Sequence, residues 1–161
     1  MEPRFEVLTE KKFIGISITT SFTDNKTSTL WRTFMPRRNE IQNGLTPDLV
    51  SLQVYGAAFD FTQFNPDTEF KKWALKEVSD FNCVPAGMET FILSGGLYAI
   101  FLHRGSASEA EKIFGYIFGK WLPQSRYALD DRPHFEILGA KYKNNDPNSE
   151  EEIWIPVKPK I

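Results

Sequence analysis

The sequence predicts an α+β fold made of two similar halves, each with the element order β-β-α-β-β. Two segments repeat apolar residues at helical spacing, and the other patterned segments are short apolar runs that end at turn residues. Landmarks also recur: Phe34-Met35-Pro36 corresponds to Trp121-Leu122-Pro123, and Val78 to Val157, about 80 to 90 residues later. We therefore expect a single domain over residues 1–161, with two pseudo-repeats at about 1–82 and 88–161.

The first half is predicted to contain two strands, one helix and two further strands. The helix begins near Thr27 or Ser28, and Leu30 and Phe34 form an i,i+4 apolar pair on it. Pro36 is expected to kink or end the helix, and residues 37–41 are a candidate continuation. The four strands predicted in this half are Phe5–Leu8, Phe13–Ile18, Val50–Tyr55 and Phe70–Val78.

The second half is predicted to repeat this order. Its helix follows a capping box that begins at Ser108, and Ile113, Ile117 and Trp121 then recur every four residues. We expect Pro123 to stop this helix. The strands predicted in this half are Glu89–Leu93 and Leu97–Leu102, joined by a hairpin turn at Gly95-Gly96, and then Phe135–Leu138 and Ile153–Val157.

Aromatic residues are abundant for a chain of this size. The 161 residues include fourteen Phe, four Trp and five Tyr, which is 14% of the chain. Disordered chains are poor in aromatic residues, so this composition excludes a low-complexity protein. It indicates a wide aromatic core, an aromatic-lined cavity, or both.

Charge and cysteine content exclude several classes of protein. The net charge is −2, whereas a nucleic-acid-binding domain usually carries clustered basic residues, so we expect no direct binding of DNA. One cysteine, Cys83, allows neither an internal disulfide framework nor a multi-cysteine zinc site, and we expect it to be an inert thiol. Neither a signal peptide nor a long apolar run is visible, which predicts a cytoplasmic protein without membrane attachment.

Common catalytic motifs are missing from the sequence. It contains no phosphate-binding loop, nucleophile elbow, dinucleotide-binding glycine pattern or HExxH motif. Its two histidines, His103 and His134, are too few for a histidine-rich metal site, and we expect His134 to be a surface or packing residue. The sequence therefore predicts neither a metal nor a cofactor.

One carboxylate, Glu136, stands inside an otherwise apolar strand. Strand alternation places Glu136 and Leu138 on one face and Phe135 and Ile137 on the other, and either face could be the buried one. If exposed, Glu136 is an ordinary surface residue, because glutamate is seldom buried unpaired. If buried, it would be held by a cationic ligand or by hydrogen bonds from Tyr or Trp. A carboxylate among aromatic faces suits an organic cation.

The same strands and helices supply aromatic residues that could form the walls of such a site. Core packing is the alternative role for each of them, above all for Phe, whereas the polar ends of Trp and Tyr suit a lined pocket. The candidates are Trp31, Phe34, Tyr55, Trp73, Tyr98, Phe118, Trp121, Phe135 and Trp154.

Three segments of the sequence resemble a known family. Residues 30–38, LWRTFMPRR, are similar to the first helix of GyrI-like proteins. Residues 132–138, RPHFEIL, and 149–157, SEEEIWIPV, are similar to their C-terminal signature. This family includes the effector-binding domains of AraC-type and multidrug-responsive transcription activators. The resemblance covers nearly the whole chain. It implies duplicated β-α-β-β units, with two helices and a curved antiparallel sheet around a central groove (a SOUL/GyrI-like fold).

The resemblance also has implications for the site. The carboxylate of the family's pocket corresponds to Glu136, but the aromatic residue that often follows two positions later is Leu138 here. Regulators of the family carry a helix-turn-helix module before this domain, whereas Phe5 already belongs to the first predicted strand. The resemblance therefore implies a freestanding domain. The related haem-binding fold fits less well, because no histidine is a convincing axial ligand.

These observations predict a freestanding domain that binds a small molecule, as a sensor or effector-binding protein in transcription regulation. Glu136 would anchor a drug-like or lipophilic cationic ligand, with Trp31, Tyr98, Trp121 and Trp154 among the walls. One alternative is a hydrolase of small electrophilic compounds, in which Glu136 acts as base or nucleophile and Tyr98 or Tyr55 donates a hydrogen bond. Another is a module that inhibits a protein partner such as a topoisomerase.

Overall fold

The computed structural model describes residues 2–55, 65–106, 109–139, 142 and 146–161. Within these residues, nine antiparallel strands form one curved, open sheet. The strands are β1 (Arg4–Leu8), β2 (Lys11–Thr20), β3 (Leu49–Val54), β4 (Phe70–Val78), β5 (Glu89–Leu93), β6 (Gly96–Arg104), β7 (Tyr127–Leu129), β8 (His134–Leu138) and β9 (Glu150–Pro159).

Two helical segments pack on this sheet. The first is α1 (Thr27–Phe34), which continues as a 3₁₀ turn over Met35–Glu40 with Pro36 in its first turn, where proline loses no hydrogen bond. The second is α2 (Ala110–Tyr116), followed by a π-helical turn (Ile117–Trp121) and a last short turn, α3 (Leu122–Gln124). Each segment contributes an apolar stripe to the core, through Leu30 and Phe34 in one case and Ile113 and Ile117 in the other.

The order of strands in the sheet is symmetric between the two halves of the chain. The order is β1-β6-β9-β8-β3-β4-β2-β5, and β7 pairs with β9 outside this path. If β1 is exchanged with β5, β2 with β6, β3 with β8 and β4 with β9, the result is the same strand order read from the opposite edge of the sheet. The pseudo-two-fold axis therefore passes through the pairing of β3 with β8, which is the centre of the sheet.

The two halves also exchange a strand at the edges. β1 pairs with β6 of the other half, and β5 pairs with β2. The two pairings continue each other in one register. In an antiparallel ladder the numbers of paired residues have a constant sum, and this sum is the same for Leu8 with Gly96 as for Lys11 with Leu93. A Cβ at Gly95 would overlap the carbonyl oxygen of Leu8, so the backbones approach closely at the bend. The four strands thus form one bent, two-stranded ribbon that joins the halves.

The sheet separates apolar clusters that lie on its two faces. The inner cluster includes Phe13, Leu52, Leu75 and Ile100 and covers one face of the sheet. On the other face, which we call the helix side, one cluster packs beneath α1 and a second packs beneath α2 and its π-turn. Successive residues of a strand point to opposite faces, so each strand contributes to both layers.

The predicted fold class is confirmed by this architecture and by its structural relatives. All eight predicted strands are present, with ends that shift by up to three residues, and the sequence missed only the short strand β7. The division into repeats at 1–82 and 88–161 stays a prediction, although the symmetric strand order agrees with it.

One local prediction is wrong, one is met to within a residue and one falls outside the described residues. Gly95-Gly96 is not a hairpin turn, because β5 and β6 pair with β2 and β1 rather than with each other. The second helix ends at Gln124, one residue after Pro123, where the sequence predicted that it would stop. Ser108, the start of the predicted capping box, lies outside the described residues.

Candidate functional site

Four polar side chains meet where β3 and β8 pair at the centre of the sheet. Ser51 lies opposite Glu136, and Gln53 lies opposite His134. Strand alternation directs all four to the helix side. The residues beside them lie under the two helices, since Ala74, opposite Ser51, packs beneath α1, and Ile153, opposite Glu136, packs beneath α2. We call this position, between the two helix-covered parts of the sheet, the central seam.

Glu136 has polar partners from the other half of the chain. Gln53 donates a hydrogen bond of 3.0 Å from Nε2 to Oε2 of Glu136, and the Ser51 side chain is a second hydrogen-bond partner. Burial raises the pKa of Glu136, whereas the charge of Lys72 and these hydrogen bonds oppose that rise. Glu136 is therefore a partly buried carboxylate with polar partners, between the exposed and the buried alternatives that the sequence left open.

Two further charged residues flank the central seam on the helix side. Lys72 is opposite Gln53 on β4, and its Nζ lies 3.2 Å from Oγ1 of Thr27 at the start of α1. Glu151 lies on β9, two residues from the partner of Glu136, and its side chain is partly buried. Burial raises the pKa of Glu151 to about 7, the negative charge of Glu136 adds to this rise, and Lys72 opposes it.

A row of aromatic rings crosses the junction beside Glu136. It starts near the end of β2, passes over the pairing of β3 with β8 and reaches α2. Ring centroids lie 5.1 to 6.5 Å apart along the row, which runs Phe22, Phe70, Tyr55, His134, Phe118 and Phe114. We call this set the aromatic row. It supplies ring faces and edges from both halves, next to the carboxylate.

The polar members of the aromatic row are uncharged at neutral pH. Burial lowers the pKa of His134 to about 3, so its imidazole is neutral. Burial and the nearby charge of Glu136 raise the pKa of Tyr55 far above its usual value, so its hydroxyl keeps its proton. The row is therefore a neutral aromatic surface beside an acidic centre. Such a surface is suited to a flat or bulky cation and gives an anion no compensating charge.

The predicted wall residues Tyr55 and Phe118 belong to the aromatic row, and three others lie on the helix side. Trp31 is partly buried on α1 and packs edge-on against Phe34 with ring centroids 5.9 Å apart. Phe34 is fully buried in the cluster beneath α1, so its ring is core. Trp121 packs against Phe101 at 5.1 Å, in the cluster beneath α2.

Four predicted wall residues lie on the opposite face of the sheet from Glu136. Trp73, Tyr98, Phe135 and Trp154 all belong to the inner cluster. The Tyr98 hydroxyl donates to the carbonyl oxygen of Pro133 at 2.9 Å, and burial raises its pKa to about 12. Grouping these residues with Glu136 is therefore corrected: strand alternation turns them away from it, and the core that they form accounts for much of the aromatic content.

Sequence reasoning missed several polar residues of the seam. Gln53, Lys72 and Glu151 contact or influence Glu136 through strand pairing, which sets the neighbours of a side chain but leaves little trace in the local sequence. His134 was expected to be a surface or packing residue, and the structure agrees with the packing alternative, since His134 is buried within the aromatic row. The one available signal was the alternation of His134 with Glu136, which places both on one face.

A separate concave feature lies between β6 and α2. It is a surface cleft of about 750 Å³, lined by Leu102, His103, Arg104, Glu109, Lys112, Ile113 and Tyr116. Its charged side chains have both signs, and none of the predicted site residues lines it.

In the described part of the chain, no three His, Cys, Asp or Glu side chains are grouped so that they could hold a metal ion. No helix there is long and apolar enough to cross a membrane.

A comparison with protein families matches nearly the whole chain. The family model described as "GyrI-like small molecule binding domain" matches residues 1–158. Among curated proteins, the transcriptional regulator BrlR of Pseudomonas aeruginosa is 28% identical over 129 residues. That match takes in 80% of this chain but 45% of BrlR, so the chain spans less than half the length of this relative.

Solved structures share the fold at low sequence identity. The structure of SAV2435 bound to tetraphenylphosphonium superposes with a TM-score of 0.71 at 16% identity, covering 98% of this chain and 94% of that one. The C-terminal domain of EcmrR superposes with a TM-score of 0.74 at 13% identity, covering 99% and 98%. These likenesses show the fold.

Proposed function

Because the chain belongs to the GyrI-like small molecule binding domain family, we propose that its ligand is a lipophilic organic cation held at the central seam. Glu136 is the anionic anchor, and the aromatic row is the apolar surface against which the ligand packs. The protein acts as a ligand sensor: the regulator BrlR, with which it shares 28% identity, supports a role in which ligand binding is the signal.

The observation that carries this proposal is the position of Glu136 beside the aromatic row. A carboxylate that is partly removed from water is costly unless it is paired, and among the described residues the Gln53 and Ser51 side chains satisfy part of its capacity to accept hydrogen bonds. A cation over the seam would meet both the carboxylate and the negative faces of the Tyr55 and Phe118 rings. The bound ligand of SAV2435, tetraphenylphosphonium, is a cation of this kind.

The charge of the ligand can be tested with two probes of the same shape. Tetraphenylphosphonium and tetraphenylborate have nearly the same size and apolar surface but opposite charges. Isothermal titration calorimetry and thermal shift should show binding of the phosphonium and little or no binding of the borate. Glu136→Gln should weaken phosphonium binding by about 10-fold or more, equivalent to about 1.4 kcal/mol, because the ligand loses the attraction of an opposite charge in a partly desolvated site.

A matched variant controls for the loss of one negative charge. Glu10→Gln makes the same change on an exposed residue between β1 and β2, and it should bind the phosphonium like the wild type. Equal binding of the two probes would contradict the cationic ligand. Equal binding of the phosphonium by the wild type and Glu136→Gln would contradict the anchor.

Hydrolysis is a second candidate function, favoured by the pKa of Glu136, which burial raises toward the range of a general base. In this role Glu136 would take a proton from a water molecule, whose oxygen adds to a ring carbon of an epoxide while the carbon–oxygen bond of the ring breaks. The alkoxide that this releases then takes a proton back from Glu136 or from solvent. Tyr55, which lies close enough for the charge of Glu136 to raise its pKa, is the candidate hydrogen-bond donor. Tyr98 is excluded from this role because it lies on the other face of the sheet.

Turnover separates this second candidate from binding alone. A small epoxide is incubated with the wild type and with Glu136→Gln, and mass spectrometry measures the gain of one water. Hydration by the wild type that disappears in Glu136→Gln would support the hydrolase. Equal recovery of unreacted epoxide from both proteins would leave binding as the function.

A further inference from the structure

We propose that binding of a cation at the central seam releases a proton from the carboxylate pair formed by Glu136 and Glu151. The ligand and the proton therefore compete to neutralise the same negative charge. This inference rests on the proposed function, since it concerns the same site. It adds that Glu151 participates and that the ligand's affinity depends on pH.

The geometry makes Glu136 and Glu151 neighbours. Glu136 is opposite Ile153 on β9, and Glu151 lies two residues before Ile153, on the same face. Residues in this diagonal relation across an antiparallel pair are about 7–8 Å apart, which long side chains bridge. The charge of Glu136 reaches both Glu151 and Tyr142. Two carboxylates thus share one partly buried position on the helix side.

The charges of this cluster do not balance. Among the residues that the structure describes, Lys72 is the cation whose charge reaches both carboxylates. One ammonium group and two ionised carboxylates leave one negative charge in excess, in a position where desolvation disfavours it. Either a proton or a bound cation can supply the missing positive charge, but not both together.

Other titratable groups also face Glu151 from the neighbouring elements. On β6, His103 is opposite Glu151, and its Nε2 lies 3.2 Å from the carbonyl oxygen of Ser106. Tyr142 has a raised pKa, so its phenol is neutral. From α2, Lys112 is exposed and lines the cleft between α2 and β6, together with Glu109, which has the opposite charge. On β8, His134 is neutral because its pKa is about 3.

The protonation of the ligand-free site determines in which direction the proton moves when the ligand binds. The pKa of Glu151 is about 7 and that of Glu136 is also raised, so the pair retains a proton at mildly acidic pH. Because the two groups interact, this proton belongs to the pair rather than to one residue. A bound cation stabilises the doubly ionised pair, so the proton leaves to solvent and one positive charge replaces another.

The experiment is calorimetry of tetraphenylphosphonium binding to the full chain in phosphate and in Tris, whose ionisation enthalpies differ. This probe carries no titratable proton, so any dependence on the buffer reports protons released by the protein. With a pKa near 7, we expect release of about half a proton at pH 7, near one at pH 6 and near zero at pH 8. The affinity should be about 10-fold higher at pH 8 than at pH 6.

Two matched variants test the role of Glu151. In Glu151→Gln the remaining carboxylate and Lys72 balance each other, so phosphonium binding should be weaker and its proton release should vanish. Glu150→Gln makes the same change one residue away, where the side chain points to the other face and pairs with Arg104 at 2.7 Å. This control should keep the wild-type proton release.

Carbon-13 NMR of the glutamate carboxyl groups provides a measurement on the wild type alone. One step near neutral pH is expected in the free protein, and saturating phosphonium should move it below about pH 5. A buffer-independent binding enthalpy in the wild type, or full proton release by Glu151→Gln, would overturn this inference and leave the proposed function intact. Absence of phosphonium binding at every pH from 6 to 8 would overturn both.

Discussion

Gln53 and Glu136 are joined by a hydrogen bond of 3.0 Å from Nε2 to Oε2, although 83 residues separate them in the chain. Gln53 belongs to β3 and Glu136 to β8, so this bond crosses the pseudo-two-fold axis. On its other side Gln53 faces Lys72 of β4. One amide therefore lies between the ammonium and the carboxylate, and it holds the acid in place at the centre of the sheet.

Removing this amide should weaken ligand binding. In Gln53→Leu the ionised form of Glu136 loses a hydrogen bond, which raises its pKa further and makes the anion harder to form. We expect tetraphenylphosphonium affinity to fall by about 10- to 100-fold at pH 7, from a loss of about 1.5–3 kcal/mol. Gln42→Leu, at an exposed glutamine, is the control for calorimetry. Wild-type affinity in Gln53→Leu would show that this bond does not support the anchor.

His134 should make the protein less stable in acid. Its pKa is about 3 in the folded state and about 6.5 when unfolded, so the unfolded chain binds the extra proton between these values. The free energy of unfolding therefore falls as pH decreases from about 6.5 toward 3, by up to about 1.4 kcal/mol per pH unit from this residue. Urea unfolding at several pH values should give a shallower acid slope for His134→Phe.

Glu151 contributes with the opposite sign and must be separated from this effect. Its folded pKa is raised to about 7, so the stability due to its proton is present below the unfolded value and is lost as pH rises through 7. The difference in slope between the wild type and His134→Phe cancels this contribution. Identical slopes in the two proteins would contradict a buried, neutral His134.

Tyr98 should matter for stability and not for the ligand. Tyr98→Phe removes the hydrogen bond of 2.9 Å to the Pro133 carbonyl oxygen and keeps the ring in the inner cluster. We expect a loss of about 1 kcal/mol in the free energy of unfolding, and unchanged affinity for tetraphenylphosphonium. A folded Tyr98→Phe variant with clearly weaker binding would mean that Tyr98 reaches the ligand after all.

Gly96 should resist substitution because Arg132 fills the space beside it. Its φ of +150° is one that side chains rarely adopt, and a Cβ there would overlap the Arg132 guanidinium. That guanidinium donates from Nη2 to the carbonyl oxygen of Leu97 at 2.6 Å and lies 4.7 Å from the centroid of the Tyr98 ring. We expect Gly96→Ala to lose on the order of 2 kcal/mol of stability in chemical denaturation.

A second glycine is the natural comparison for Gly96. A Cβ at Gly115, on α2, would meet no atom within 4 Å. Gly115→Ala should therefore stabilise the protein by about 0.5–1 kcal/mol, since alanine is the better helix former. If both alanine variants shifted the denaturation midpoint in the same direction, the packing of Arg132 on Gly96 would not be the cause.

Most of the fold could be predicted from the sequence, because its signals are local. The i,i+4 pair of Leu30 and Phe34 and the early Pro36 each lie within one element. The recurrence of landmarks also predicted two repeats of one element order, with which the symmetric order of strands agrees. What failed locally was Gly95-Gly96, where two glycines allow a bend in a continuing strand as readily as a turn.

The site was less predictable, because its members meet only through strand register. Alternation correctly separated Glu136 from Phe135, but it could not say which face of β8 matches which face of β4 or β6. Trp73 and Tyr98 were grouped with Glu136 for their chemistry, yet the pairing of their strands turns them into the inner cluster. The same pairing brings Gln53 and Lys72 to Glu136 with no local signal.

The bent ribbon has a consequence for how the two halves depend on each other. β1 completes the sheet of the second half, and β5 completes that of the first. If the chain were cut between the halves, each fragment would lack one edge strand of its sheet and would keep one strand whose pairing partner is in the other fragment. Neither fragment is expected to be stable alone, but the two together could reassemble as a non-covalent complex. Exposed residues around Cys83 are where such a nick would fall. A cut at the linker would thus leave two fragments that depend on each other to fold.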